Sequence, residues 1–183
     1  MLKTEQIVKN TKKFFQTAES HGVMNDKLLN LLGEDFVKAP ATTSTSQYNA
    51  FEGGLVDHIL NVTKYAVIFN NALPESERVD QKSLIRVCLL HLIGKAKLYK
   101  PNTSDWHLKQ GNLYQYDEHD VSMRISERSL FYATSSGVEL TEEEFSVILM
   151  SDKIDDKMTE FYNTRMGYLL RSATTFAILN EKG

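Results

Sequence analysis

Apolar residues recur along most of this chain at helical spacing. Leu55, Ile59, Val62, Ala66 and Phe69 follow one another in alternating steps of four and three, which places them on one stripe of a helix opened by Gly53-Gly54. Residues 2–20 read the same way, with Ile7, Val8, Phe14, Phe15 and Ala18 on one face and lysines over the rest. His21-Gly22 stops that helix, because glycine accepts the left-handed conformation common after a helix end. Asn25 is placed to cap a short second helix running through Leu28, Leu29, Leu31 and Leu32. A further helix is predicted from about Asp80 to Leu92, with Leu84, Cys88 and Leu89 inward and a stop near Gly94. Residues 121–135 predict another. Thr141 and Glu144 form a capping box for a helix that carries Phe145, Ile148 and Leu149 to Ser151-Asp152. After a charged loop, a last helix is predicted over 160–180, with Tyr162, Met166, Leu169, Leu170, Ala173, Phe176 and Ala177 inward.

Two stretches break the period. The Ser/Thr-rich segment 39–50 predicts a loop passing close to any site. Around 105–117, Trp106-His107-Leu108, Gln110-Gly111-Asn112 and Leu113-Tyr114-Gln115-Tyr116 predict a small β-hairpin or ordered flap. No internal repeat or low-complexity tract interrupts the pattern. The expectation is one mostly α domain over 1–183, a helical bundle with N-terminal helices in 1–35 and its core in 50–180.

Composition narrows the function more than the fold. The 183 residues are 42% hydrophobic and 25% charged with a net charge of −3, which is ordinary for a soluble domain and gives no general affinity for nucleic acid. The single cysteine, Cys88, sits in the apolar run Val87-Cys88-Leu89-Leu90, which rules out an intramolecular disulfide and makes a poor nucleophile. The charged start Met1-Leu2-Lys3-Thr4-Glu5-Gln6 has no signal-peptide core, and no apolar run is long enough to span a bilayer. A cytoplasmic protein without a membrane partner is expected. Glycine-rich phosphate loops, Cys/His zinc spacings and Gly-x-Ser-x-Gly elbows are absent from the sequence.

His58 and His91 lie on two strongly apolar helices, beside their buried stripes. A lone inward histidine is usually a core residue bonded to a backbone carbonyl. A pair on neighbouring helices, each near glycine, also suits a metal site, since imidazole is the commonest transition-metal ligand. At these residues the chain resembles a family. Ala50-Phe51-Glu52-Gly53-Gly54-Leu55-Val56-Asp57-His58 is similar to the first-histidine segment of HD-domain proteins. Cys88-Leu89-Leu90-His91-Leu92-Ile93-Gly94-Lys95 resembles their apolar-apolar-His-Asp-apolar-Gly-Lys signature. Ser126-Glu127-Arg128-Ser129-Leu130 resembles the Gly-Glu-Arg-Ser segment of a bacterial and phage branch.

The resemblance covers roughly 50–180. It implies a helical bundle holding a metal through His, His-Asp and a later Asp, and hydrolysis of phosphate esters, often of nucleotides. A divalent ion lowers the pKa of bound water and offsets phosphate charge, while acidic ligands hold the ion. This sequence departs from the pattern at those acids. Leu92 stands where Asp is expected, Thr174 is the likeliest equivalent of the late Asp, and Ile125 falls where many relatives have a further histidine. Asp152, Asp155 and Asp156 are the nearest substitutes. They read more simply as a solvated loop at a helix end.

The remaining candidates are ligand-binding residues. Lys95 either meets a phosphate or is an exposed lysine at a helix C-terminus. Glu127 and Arg128 are expected to brace their helix as an ion pair, with ligand contact by Arg128 as the alternative. Trp106, Tyr99, Tyr114 and Tyr116 either stack on a base or form a satellite core or partner surface. His107 and His119 are expected in solvent, and Lys95, Lys97 and Lys100 make only a modest basic cluster. The sum predicts a degenerate HD-like protein with His58 and His91 as vestigial ligands and no catalytic residue. It would bind a protein partner, a second copy of itself included, or a nucleotide-like ligand, without a cofactor. The alternative is an active phosphohydrolase with a rearranged site using manganese, cobalt, nickel, iron or zinc. If phage-encoded, it would act in the host cytoplasm.

Overall fold

The computed structural model describes residues 3–118, 121–152 and 164–182. Among these residues the chain forms nine α-helices and one two-stranded antiparallel sheet. The helices are α1 Thr4–Ser20, α2 Asp26–Leu32, α3 Asp35–Lys38, α4 Gly54–Ala72, α5 Gln81–Leu90, α6 Asp105–Lys109, α7 Ile125–Ser135, α8 Glu142–Met150 and α9 Arg165–Glu181. Short 3-10 turns follow α4 at Glu75–Glu77 and α5 at Ile93–Lys95.

The periodicity explains most of this. In α4 the predicted stripe of Leu55, Ile59, Val62 and Ala66 is buried, and α4 packs against α1, α3, α5 and α9. α4 and α9 run antiparallel, since Tyr65 and Phe69 stack on Phe176 while His58 and Asn61 reach Glu181. Asn25 caps α2 by accepting from the Leu28 amide, and Thr141 with Glu144 closes a reciprocal box at α8. Arg86 of α5 pairs with buried Glu144 at 2.7 Å and also donates to the carbonyls of His21 and Glu139, tying α5, α8 and the α1–α2 corner together. Among the described residues no helix is long and apolar enough to cross a membrane.

Three predicted inward residues face outward. α1 buries Asn10, Phe14 and Ala18, spaced by four, and Val8 lies on the opposite side of that stripe. Phe145 in α8 is exposed: it lies about 60° around the helix beyond Ile148, at the edge of the buried arc formed by Glu144, Val147 and Ile148. Phe176 is only half covered, against Tyr65 and Phe69. The flap also differs from expectation. Its strands are β1 Tyr99–Pro101 and β2 Tyr114–Tyr116, in the register Tyr99 to Tyr116, while Trp106-His107-Leu108 belongs to α6 between them. Five residues are too few to show a helical period in sequence. The predicted last-helix residue Tyr162 lies outside the described residues.

The loop before α4 is ordered by the elements around it. The Thr45 amide donates to the Gly111 carbonyl, and the Tyr114 amide to the Thr43 carbonyl, so β2 has a second neighbour. At the loop's far end Asn49 adopts φ 45° and its side chain donates to the Gly54 carbonyl and to Asp57. Gly54 sits so close to the Asn49 carbonyl that a Cβ there would collide with it. This segment lays Tyr48 over the first turns of α4.

Candidate functional site

His58 in α4 and His91, the residue that ends α5, are both buried. His58 Nδ1 lies 2.6 Å from a carboxylate oxygen of Glu181 in α9. His91 Nδ1 lies 2.7 Å from the Cys88 carbonyl, one turn back in its own helix. Both acceptors require a proton on Nδ1. In the neutral imidazoles each Nε2 therefore carries a lone pair, and both Nε2 atoms are buried without a hydrogen-bond partner. Burial, opposed by the Cys88 carbonyl and reinforced by His58 and Lys95 nearby, pushes the His91 pKa down to about 3.

Lys95 joins this cluster from the turn after Gly94. It is not an exposed helix-end lysine: it is buried, and its ammonium donates to the Ala41 carbonyl at 2.7 Å and sits 5.7 Å above the Tyr48 ring. Burial lowers its pKa to about 8. The Tyr48 ring packs 4.5 Å from His58, and its phenol is pushed up to about 12 by burial and then by Glu181. The turn that delivers Lys95 is held from α7. The Ser129 hydroxyl accepts from the Gly94 amide and donates to the His91 carbonyl, and Gly94 lies against the Ile125 backbone with no room for a Cβ.

Around His58 the polar shell extends outward. Asn61 donates to the second oxygen of Glu181 at 2.8 Å, and Asp57 accepts from Asn10, Asn49 and Asn61. Burial raises the Asp57 pKa, partly offset by the amide donors. Glu181, Tyr48 and Asp57 were absent from the sequence-derived site. Glu181 follows Thr174 by seven residues, two helical turns, so the same face of α9 carried a carboxylate signal just past the last expected helix residue.

The other predicted residues lie elsewhere. Leu92 packs against the hydrophobic core. Thr174 lines a small groove between α8 and α9 with Met150 and Ser151, its hydroxyl donating to the Leu170 carbonyl. Asp152 caps α7, accepting from the Ser126 amide and hydroxyl at 3.0 and 2.8 Å. Asp155, Asp156 and His119 lie outside the described residues. Glu127 and Arg128 do not pair: Glu127 accepts from the Arg124 amide, while Arg128 is buried, donates to the Val121 carbonyl and leaves Nε without a partner. Neighbours in a helix point about 100° apart, which explains the divergence.

Tyr99 stacks edge-on against Tyr116 and lines a cleft of about 610 Å³ with Lys38, Glu52, Lys97 and Tyr114. Lys100 pairs with Asp117 at 2.8 Å on its rim. Asp35, Glu52, Asp117 and Glu118 outnumber the lysines there, Lys38, Lys97 and Lys100, so the cleft offers a polyanion no net attraction. Trp106 is exposed and its ring lies against that of His107. The basic cluster is thus dispersed: Lys95 inside, Lys97 against Gly33, Lys100 neutralised.

The histidine pair supplies two well-oriented nitrogen donors, each with the carbonyl or carboxylate contact that orients a metal-bound imidazole. Among the described residues no third His, Cys, Asp or Glu joins them as a metal-holding group, and Glu181 is already engaged at Nδ1. This donor set does not fit a hydrolytic divalent centre, which needs carboxylates to balance the ion. Comparison with protein-family models, curated proteins and solved structures found no match to the chain. The likeness to HD-domain proteins therefore rests on the three sequence segments.

Proposed function

We propose that this chain is a non-catalytic protein on an HD-like helical scaffold and that it acts by binding a partner protein. One observation carries the reading: the chain's own groups occupy the surroundings of the histidines. Glu181 takes His58 Nδ1, the Tyr48 ring covers His58, and Lys95, the residue that the resemblance turns toward phosphate, is spent on the Ala41 carbonyl. A phosphate ester meeting Lys95 would have to displace its contact with the Ala41 carbonyl. The charge balance of the Tyr99 cleft favours a protein over a nucleotide as the bound species.

A competing reading, a metal-dependent phosphohydrolase, draws support from the two buried Nε2 lone pairs, which are free to take an ion. Equilibrium dialysis against manganese and zinc separates the two. The binding-protein reading expects no stoichiometric uptake that depends on both His58 and His91. One ion per chain, lost in His58→Ala and in His91→Ala, would overturn it.

A further inference from the structure

The two-stranded sheet brings an aromatic face to the cleft beside α3. In its register Tyr99 stands opposite Tyr116 and Pro101 opposite Tyr114, so all four side chains share one face. Tyr99, Pro101 and Tyr114 line the cleft, and Pro40 forms part of its wall. At about 610 Å³ the cleft has the size of a ligand pocket, roughly 300–1,000 Å³.

The charges around these rings are unevenly committed. Lys100 is held by Asp117 at 2.8 Å, and Glu118 acts on it as well. The Lys97 ammonium lies beside Gly33, and Asp35 and Lys38, three residues apart on α3, offset each other. Glu52 lies near Tyr114, where burial and then this carboxylate raise the phenol pKa. It is exposed and has no ion-pair partner among the described residues. Tyrosine faces attract a cation, and a carboxylate within reach takes a guanidinium through two parallel hydrogen bonds. Arginine suits such a place better than lysine, because its planar head stacks on rings and is less strongly hydrated.

The sheet edge says what carries the arginine. The Asp117 amide donates to the Leu98 carbonyl and the Asn102 amide to the Leu113 carbonyl, so Leu98, Lys100 and Asn102 turn their backbone groups toward β2. Tyr99 alternates with them. Its N–H and C=O therefore point away from β2, at an edge where no further strand pairs among the described residues. An extended segment can hydrogen-bond there while its alternate side chains stand over the tyrosine face. A small free cation has no use for that edge.

Building on the partner-binding role proposed above, we infer that the partner lays an extended segment along β1 and seats an arginine in the Tyr99 cleft beside Glu52. The probe is the peptide acetyl-Thr-Val-Arg-Val-Thr-amide, titrated into the isotope-labelled full chain and followed by amide chemical shifts. Shifts are expected to centre on Tyr99, Tyr114 and Glu52, with a dissociation constant at or below about 1 mM. The same peptide with glutamine in place of arginine is expected to bind about tenfold more weakly. The arginine peptide is expected to lose about as much against Glu52→Gln, a change at an exposed position. Absence of shifts at roughly 5 mM peptide would overturn the inference, as would equal binding of the two peptides or indifference to Glu52→Gln. N-acetylarginine amide binding as tightly as the peptide would overturn the extended segment. None of these readouts involves metal or hydrolysis, so this inference and the non-catalytic reading fail separately.

Discussion

Glu181, in the last turn of α9, sets a carboxylate oxygen 2.6 Å from Nδ1 of His58 in the second turn of α4. Its other oxygen takes the Asn61 amide, so the last turn of α9 is fastened to α4 by two hydrogen bonds. Removing an acceptor from a buried donor costs more than the bond itself contributes. Glu181→Ala is expected to lower stability by about 2–3 kcal/mol, and Glu181→Gln, which keeps an acceptor, by about 1 kcal/mol. Urea unfolding measures both. A loss below about 0.5 kcal/mol in the alanine variant would mean the contact contributes nothing.

His91 supplies a pH dependence of definite sign. Burial holds its pKa at about 3, against 6.5 for the free side chain. Between those values the unfolded chain takes up a proton that the folded chain refuses, so stability falls as pH falls from about 6.5 toward 3. Asp57, whose pKa burial raises, works the other way: its folded carboxyl holds its proton above the unfolded value of 3.8, so its share of stability is lost as pH rises past there. In His91→Gln the decline in unfolding free energy between pH 6.5 and 5 is expected to flatten. An unaltered slope would show that His91 is not the group responsible.

The sequence shows the helices of this fold better than its contacts. Buried stripes such as Leu55-Ile59-Val62-Ala66, and caps such as Asn25 and Thr141, depend on residues within one or two turns and can be read locally. α3 and α6, of four and five residues, are too short to repeat a pattern. The inward positions of His58 and His91 were legible because each lies beside an apolar stripe. Lys95 was not, since its direction is set by a 3-10 turn clamped against Ser129 of α7. Glu181 and His58 are 123 residues apart, and only the register of α9 against α4 brings them together.

Tyr48 closes the cluster from the loop side. Large-to-small changes at buried aromatic positions cost about 3–5 kcal/mol. Tyr48 is half-buried, so Tyr48→Ala is expected to cost about 2–3 kcal/mol and Tyr48→Phe under about 1 kcal/mol. Opening this side also uncovers His58. Modification of His58 by diethyl pyrocarbonate, mapped by mass spectrometry, is expected to accelerate in Tyr48→Ala and not in Tyr48→Phe. Equal rates in the two variants would place the barrier elsewhere.

The turn after His91 depends on one hydroxyl and one missing Cβ. Ser129→Ala removes the partner of the Gly94 amide and is expected to cost about 1–2 kcal/mol. Gly94→Ala drives a methyl into the Ile125 backbone and the Ser129 side chain, with an expected cost of about 2–3 kcal/mol. Thermal unfolding orders the two, and a neutral Gly94→Ala would contradict the close approach.

We propose that the occupied surroundings of His58 and His91 do not support hydrolysis. Phosphate release from nucleoside mono-, di- and triphosphates, with manganese, cobalt, nickel or magnesium supplied, tests it most directly when wild type is run beside His58→Ala. Equal background rates are expected for the two proteins with every metal and nucleotide. Turnover in the wild type that His58→Ala abolishes would contradict it.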